Sequence, residues 1–584
     1  MTFTPSREQQ AIIEYPALPL RVAAGAGTGK TTTIVHRLAA MVRSGLSPER
    51  AVGITFTNKA AEELASRLRQ VLPELADQGR EVEVTTYHGF AYGILQEFGA
   101  VIGVERDSEI IGTGYVRQLM LDAIASGSYP NLDLTAVAQR VDEAVDLASQ
   151  LSRNLCEPEV LARHAAADPV SLRRAELASV VVRYTTLKRT LGVLDYGDLI
   201  LLTHRLLAGH PDLVRRIRAR YTTALLDEYQ DTDPAQRELL RMLFGDGFPV
   251  TAVGDADQTI YEWRGASTEN FENFPDHFPA PDGSPAATLP LTENRRSASA
   301  ILDVAHAIRT NMHGGANLAK LRPVATAEHG HVSAVYLRTA VDEAEWIAAE
   351  IVRLHEEEDL RWRDVAVIFR KNKDMTLLRD ALQAQHGPVE VGSLGGLLDL
   401  PDVADLHAWL RTIERPGDSV ALSRILLGAR YRMGMRDLAA LTNWIKPNRA
   451  QMGDEPDVGW PLVEAIDQLE DIVDLRPEAR ARLTGFRTLY RRFLRYAQGS
   501  SLVDLCRRIL DETGVWHEIE ARNSGSALTA RVNLYRFLDL AEEWSPLRGR
   551  PTLQAFLGYL DLIADDKSAT ELDTANVGAE DAVV

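Results

Sequence analysis

The chain has 584 residues, 45% of them apolar, and a formal net charge of −19. That length calls for several domains with proper cores, and no run of about 18 apolar residues is present to suggest a membrane span or partner. The acidic total, taken alone, disfavours a nucleic-acid partner. Its distribution matters more: residues 1–70 hold nine Lys/Arg against five Asp/Glu, and the acid gathers in Asp342–Asp359 and the last twenty residues. An acidic body with a locally basic track still binds a phosphate backbone. Cys156 and Cys506, far apart and without a metal-ligand pattern, read as reduced thiols. Met1-Thr2-Phe3-Thr4 lacks the charged and apolar leader of a secreted chain, so the expected location is the cytoplasm.

Gln9 and Gln10 precede the first expected strand. A glutamine amide donates and accepts at once, which suits an adenine edge, although ordinary surface glutamines are the plainer reading. The apolar run Leu18–Val22 is followed by Ala23-Ala24-Gly25-Ala26-Gly27-Thr28-Gly29-Lys30-Thr31, and then by Ile34, Leu38, Met41 and Val42 at helical spacing. This is strand, glycine-rich turn, helix. Backbone N–H groups converge there on an anion, and the helix dipole favours it. Lys30 would reach the outer phosphates and the Thr31 hydroxyl would ligate Mg²⁺. The regular pattern has a glycine where Ala24 stands.

Val52–Phe56 reads as a buried parallel strand and Asn58 onward as a capped helix. Phe56 beside Thr57, Asn58 and Lys59 suits a base stack with backbone contacts, or a core position at a strand end. Glu83–Phe90 gives another strand with polar and aromatic residues at its end, and its His88 has no metal-like neighbours. Residues 90–218 are helical in pattern and look like an insertion. Within them Asp195 and Asp198 stand three apart on one helical face, a spacing that also serves capping. The strand Tyr221–Leu226 runs into Asp227-Glu228-Tyr229-Gln230-Asp231. Two carboxylates at the tip of an apolar strand divide work well: one holds Mg²⁺ and the other polarises an attacking water. A solvated acidic loop is the alternative.

Pro249–Val253 leads into Gly254-Asp255-Ala256-Asp257-Gln258-Thr259-Ile260-Tyr261-Glu262-Trp263-Arg264. One end of this stretch could sense phosphate through Gln258 while the other stacks on bases; equally, its aromatics could be core. Leu291–Ser297 places Arg295 and Arg296 at a helix start. A second alternating block follows: strands over 331–338, 364–370 and 388–393, helices over 342–355, 374–384 and 402–414. Residues 416–572 are helical in pattern and rich in Arg and Leu.

Together, Gly25–Thr31, Ile54–Leu64, Thr85–Phe90, Leu194–Ile200, Leu226–Thr232, Val253–Ala266 and Leu291–Ser297 stand in the order found in the UvrD/Rep/PcrA family of superfamily 1 DNA helicases, which the whole chain resembles. The resemblance implies an α/β protein with two RecA-like motor domains on parallel sheets, each carrying a largely helical insertion. The first motor would span 1–89 and 219–281, with its insertion at 90–218. The second would span 282–415 and 573–584, with its insertion at 416–572.

The resemblance further implies ATP and Mg²⁺ as cofactors. Gln9, Ala24, Gly25, Ala26, Gly27, Thr28, Gly29, Lys30, Thr31, Thr32 and Arg295 would line the nucleotide site, with Gln9 reading adenine. Thr31 and Asp227 would hold the metal. Glu228 would be the base, acting with Lys30, Asp227, and the γ-phosphate contacts Gln258 and Arg296. Phe56, Asn58, Tyr87, His88, Tyr261, Trp263 and Arg264 fall on the family's DNA contacts. The implied partners are single-stranded DNA, single/double-strand junctions, and repair or nuclease proteins. The implied activity is 3′-to-5′ helicase action in repair or recombination.

Four departures stand out. Arg295 replaces the family's adenine-stacking tyrosine and Thr32 an arginine, so a weaker preference for ATP over GTP than in an Arg295→Tyr variant is expected. Ala429–Met435 keeps only Gly434 of a Gly-Ile-Gly duplex-binding turn. The family's last two motifs have no counterpart before Val584, so a shortened chain with poor turnover is expected. Two rival readings remain: a RecB/AddA-like helicase–nuclease subunit, suggested by Gly392–Leu398, and an ATP-gated DNA clamp without motor activity.

Overall fold

The computed structural model describes residues 3–73, 80–106, 108–163, 168–313, 320–371, 374–385, 387–389, 396–449, 462–522, 524–546, 551–564 and 583. These form two compact units, residues 1–111 with 119–334 and residues 112–118 with 335–584.

The first unit is built on a six-stranded, all-parallel sheet. In chain order its strands are β1 (Leu20–Ala24), β2 (Ala51–Thr55), β3 (Glu83–Thr86), β4 (Thr223–Leu226), β5 (Val250–Gly254) and β6 (Ala287–Leu291), arranged β3-β2-β4-β5-β1-β6. β2, β4 and β5 are buried at every residue, which is why they read as unbroken apolar runs. One face is covered by α1 (Arg7–Ile13), α2 (Lys30–Arg43) and α3 (Asn58–Val71), through Ile12, Ile34, Leu38 and Leu64. The other is covered by α4 (Tyr87–Phe98), α5 (Tyr196–Gly209) and α6 (Pro234–Phe244), through Phe90, Leu206 and Phe244. Every strand of a parallel sheet points its carboxyl end the same way. The turns after β1, β2, β3, β4, β5 and β6 therefore share one edge, where open α/β sheets bind ligands.

β6 pairs with β1 from Leu20↔Ala287 to Ala24↔Leu291, so the first sheet draws on chain beyond the boundary expected at residue 281. Past it, β7 (Glu293–Asn294) pairs with β8 (Arg322–Pro323), and α7 (Ser299–Met312) follows.

The second unit is helical. Helices Pro401–Glu414, Pro477–Ala497, Leu502–Thr513 and Leu553–Ala564 pack around Trp409, Phe486, Phe493 and Phe556. The expected helices of the second alternating block are present as Ala340–Glu358, Met375–Ala384 and Pro401–Glu414. The strands expected over 331–338 and 364–370 are not formed among the described residues. Tyr336 is 99% exposed, Val332, Val335 and Ile368 are exposed too, and a parallel strand exists only through a neighbouring ladder. The strand expected at 388–393 and the end segment at 573–584 lie mostly outside the described residues, apart from a parallel bridge between Val389 and Val583. The Gly392–Leu398 stretch is likewise described only from Gly396.

In the Ala429–Met435 turn, Arg432 takes a left-handed φ of 45°. The carbonyls of Tyr431 and Arg432 accept from Arg482 at 3.2 and 2.9 Å. No described helix is long and apolar enough to cross a membrane.

Candidate active site and nucleic-acid face

The turn after β1 has the geometry expected of an anion loop. Gly29 caps α2 without any side-chain hydrogen bond, which leaves the first amides of the helix open to a ligand. Gly27 has φ 70°, and a Cβ there would stand 2.5 Å from Asn294 Nδ2. That space is used: Asn294 Nδ2 donates to the Ala26 carbonyl at 2.6 Å, and the Arg295 amide donates to the Gly27 carbonyl at 2.8 Å. Asn294 Oδ1 accepts from the amides of Arg296 and Ser297 at 2.9 and 2.7 Å. Buried Asn294 thus sets the exposed Arg296 beside the loop. Ala24 ends β1, buried, and the Thr28 hydroxyl closes the loop on the Gly25 carbonyl at 2.7 Å.

Lys30 Nζ donates to Glu228 Oε2 at 3.0 Å and to Gln258 Oε1 at 3.4 Å. Gln258 Nε2 donates to Asp255 Oδ2 at 2.6 Å, and the Asp255 amide donates to Gln230 Oε1 at 3.2 Å. Gln230 Nε2 returns to Glu228 Oε2 at 2.8 Å. Five residues from the ends of β1, β4 and β5 therefore close one hydrogen-bonded ring. A Cβ at Gly254 would fall 2.3 Å from Gln230 Oε1, so the glycine makes room for the ring's hub. Gln230 and Asp255 are not among the site residues that the sequence points to. A glutamine two places after a strand-tip carboxylate gives no signal until the strand order brings β5 beside β4.

Glu228 sits at φ 47°, an uncommon backbone for a non-glycine residue, as strained positions at functional sites often are. Asp227 is buried at the tip of β4. Burial first, and then the neighbouring Glu228, push its carboxyl up to about 6, against the pull of Lys30. Its Oδ1 accepts from the Glu228 amide at 3.1 Å. The β2–β4 register puts Thr55 beside Asp227, and the buried Thr55 hydroxyl has no hydrogen-bond partner among the described residues. Thr31 lies half-buried on the first turn of α2. Asp231, also lifted to about 6 by burial, accepts from the Ile260 amide at 3.4 Å and ties the two acidic turns together. No group of three or more His, Cys, Asp or Glu gathers as a metal cage among the described residues.

Several expected nucleotide residues are committed to protein partners. Gln9 is buried: its Oε1 accepts from the Ser6 amide in a capping box at 3.0 Å, and its Nε2 donates to the Thr28 carbonyl at 3.3 Å. It braces the phosphate loop. The neighbouring Glu8 accepts from the Thr292 amide and hydroxyl at 2.6 and 2.7 Å, which fixes α1 to the end of β6. The Arg295 guanidinium bonds Glu293 at 2.8 Å. Thr32 accepts from Arg67 of α3 at 3.4 Å, so a guanidinium reaches this corner from another helix.

Beyond the ring, the turn after β5 carries an aromatic surface. Phe56 and Tyr261 stack on each other with centroids 4.5 Å apart and planes 23° apart. Trp263 is 68% exposed, with Arg264 Cζ 4.6 Å from its ring centre. Asn58 is exposed at the start of α3, which Thr57 caps. His88 is pushed down to about 4 by burial and by Arg153 and Arg264, so it is neutral at physiological pH. Tyr196, within the Leu194–Ile200 stretch but not among the expected DNA contacts, is exposed, meets His88 edge-on at 6.1 Å and extends the surface. Tyr87 departs from expectation. Its ring is buried in the core and its hydroxyl donates to the Asp227 carbonyl at 3.4 Å, so it supports the strand tip and offers no stacking face.

The UvrD/REP helicase N-terminal domain family matches residues 6–279, and the UvrD-like helicase C-terminal domain family matches residues 289–468. The ATP-dependent DNA helicase UvrD1 of Mycobacterium tuberculosis (strain ATCC 25618 / H37Rv) is 31% identical over 551 residues, 92% of this chain and 68% of that protein. The ATP-dependent DNA helicase PcrA of Leuconostoc citreum is 28% identical over 541 residues, with 92% and 68% covered, and that of Staphylococcus aureus (strain NCTC 8325 / PS 47) is 26% identical over 571 residues, with 97% and 74% covered. On this similarity and these matched domains, the chain belongs to the UvrD/PcrA family of helicases.

Proposed function

We propose that this protein is an ATP-dependent DNA helicase that couples hydrolysis to 3′-to-5′ movement on single-stranded DNA and to duplex unwinding, as a cytoplasmic repair or recombination enzyme. The observation that carries this reading is continuity: the Lys30–Glu228–Gln230–Asp255–Gln258 ring and the Phe56–Tyr261–Trp263–Arg264 surface share the turn after β5. In this reading, phosphate binds at one end of that turn and bases stack at the other. The four-part domain division, 1–89 with 219–281, 90–218, 282–415 with 573–584, and 416–572, belongs to the same proposal, with the boundary at 281 moved past β6 so that residues 282–291 join the first motor.

The γ-phosphate of ATP displaces Lys30 from Glu228, and Arg296 meets it from beside the loop. Glu228, released from the lysine and still held by Gln230, takes a proton from water as the water oxygen bonds the γ-phosphorus and the bridging oxygen leaves with ADP. Mg²⁺ would be held by Thr31 and Asp227 and would neutralise charge developing on the phosphate oxygens. The residues fit that ion: Mg²⁺ sites commonly use one or two carboxylates together with substrate phosphates and water rather than a protein cage. Asp227, with its raised pKa, has acceptor capacity to spare, and the Thr55 hydroxyl beside it has no partner among the described residues. Stacking on Phe56, Tyr261, Trp263 and Tyr196 is worth about 1–3 kcal/mol per base and tolerates any sequence.

The test is ATP hydrolysis with and without single-stranded DNA, beside strand displacement from duplexes with a 3′ or a 5′ tail. DNA-stimulated turnover and displacement from the 3′ tail are expected. Turnover indifferent to DNA would remove the helicase reading, and displacement only from the 5′ tail would reverse the direction.

A further inference from the structure

Asp257 stands one residue from Gln258, yet its carboxylate is not part of the ring. Both of its oxygens are taken by α7 and the residue just after it: Oδ1 lies 2.6 Å from His313 Nε2, and Oδ2 accepts from Arg309 Nε. These side chains are partly exposed, 21% for Asp257, 35% for Arg309 and 44% for His313. Pairs of that exposure contribute little to stability. Burial works to raise the Asp257 carboxyl, but the bonds from His313 and Arg309 outweigh it and hold the group below its usual range.

What distinguishes the pair is its position. The Asp257 amide donates to Asp255 Oδ1 at 3.1 Å, and the other oxygen of Asp255 accepts from Gln258, which meets Lys30. The clasp is therefore two hydrogen bonds from the phosphate-sensing amide. At its other end, α7 begins three residues after Arg296, whose turn is hooked to the phosphate loop by Asn294. A helix of 14 residues is a rigid rod of roughly 20 Å. This one is fastened to the nucleotide site at both ends.

We propose that Arg309 and His313 are positioning residues: through Asp257 they lock α7 to the turn that carries Gln258 and the aromatic surface, so that phosphate arriving at Lys30 and Arg296 is felt at Trp263 and Arg264. This rests on the helicase reading above. Neither residue touches the reacting atoms, so their removal should uncouple the two ends without stopping chemistry.

The test uses the full chain carrying Arg309→Gln with His313→Gln, and separately Arg309→Lys as the conservative variant. Unstimulated turnover and the KM for ATP should stay within about 2-fold of native, while DNA-stimulated kcat falls at least ~5-fold, the scale of an ordinary coupling energy. In native protein without DNA, a non-hydrolysable ATP analogue with Mg²⁺ should slow amide hydrogen exchange over residues 305–312; the double variant should lose that response and Arg309→Lys should keep it. Retained stimulation with a retained exchange response would overturn the clasp, as would a proportionate fall of stimulated and unstimulated turnover. If native protein binds the analogue but shows no DNA stimulation, the helicase reading fails, and the exchange arm decides the clasp by itself.

Discussion

Two places in the first unit combine a lysine with two carboxylates, and they end in opposite states. At the start of α5, Lys188 Nζ lies 2.5 Å from both Asp195 Oδ2 and Asp198 Oδ2. Tyr184 also donates to Asp195 at 2.5 Å, and Asp195 and Asp198 each accept the other's backbone amide in a capping box. Lys188 is only 6% exposed; burial works to strip its proton, but the two acids outweigh burial and raise its pKa. The cluster is closed, its carboxylate oxygens taken up by fixed neighbours. At the tip of β4, Lys30 bonds one carboxylate, Glu228, which is 36% exposed, and the Gln258 amide oxygen, while Asp227 accepts the Glu228 amide and has a raised pKa. The lesson is that a carboxylate pair becomes a reaction site by what is left unpaired around it. Asp195 and Asp198 hold a helix start in place; Asp227 and Glu228 keep capacity for a ligand.

The largest effect that separates the two sites should come from Glu228→Gln. Loss of a general base typically removes about 10²–10⁴ in rate, so kcat for ATP should fall by that order while thermal unfolding stays near native. Lys188→Met should do the reverse. Removing the cation from a buried charge cluster leaves uncompensated carboxylates and typically costs about 3–5 kcal/mol, read by urea unfolding, with turnover per folded molecule unchanged.

Asp227→Asn sharpens the contrast through pH. A carboxyl raised to about 6 binds its proton more tightly in the folded chain than in the unfolded one. Ionising it therefore erodes stability as pH climbs from about 4 through about 6, with no further loss above that. The nucleotide-free variant should be about 2–3 kcal/mol more stable than native at pH 7.5, the gain vanishing near pH 4, and it should lose Mg²⁺-dependent hydrolysis. A variant less stable than native at pH 7.5 would mean that the active-site carboxylate is as closed as the Lys188 cluster. Tyr184→Phe should have the smallest effect. It removes one hydrogen bond to a charged acceptor, about 1.5–3 kcal/mol in urea unfolding, and leaves ATP turnover untouched.

Much of this site is legible in the amino-acid sequence. The glycine-rich turn before Lys30, the acids after β4 and the Gln258–Arg264 run each lie within a dozen residues of one strand, and a parallel sheet puts all strand ends on one edge. The capping alternative for Asp195 and Asp198 is open to the same reading, since a cap is a local object. Legibility ends where an atom's partner comes from another strand. Gln9 reads as available for adenine, but its amide is used by Ser6 and Thr28. Phe56 alone leaves stacking and core equally open; in the structure it lies half-buried against the ring of Tyr261. Tyr87 shares its motif with His88, yet successive residues on a helix face different ways, and only His88 reaches the surface edge.

The α/β class, the order of strand-tip motifs and the chemical type of each tip are readable from the order of amino acids, because they follow from apolar run length and from residues adjacent along the chain. Tertiary structure alone decided which polar groups are spent and which are kept. Gln230 meets Asp255 because β5 lies beside β4; Asn294 reaches Ala26 because β6 lies beside β1; Asp257 meets Arg309 and His313 because α7 returns to the turn after β5. Hydrogen bonds act over about 3 Å, whereas these partners are separated by 25 to 268 residues of chain, and only the packed sheet edge brings them within reach.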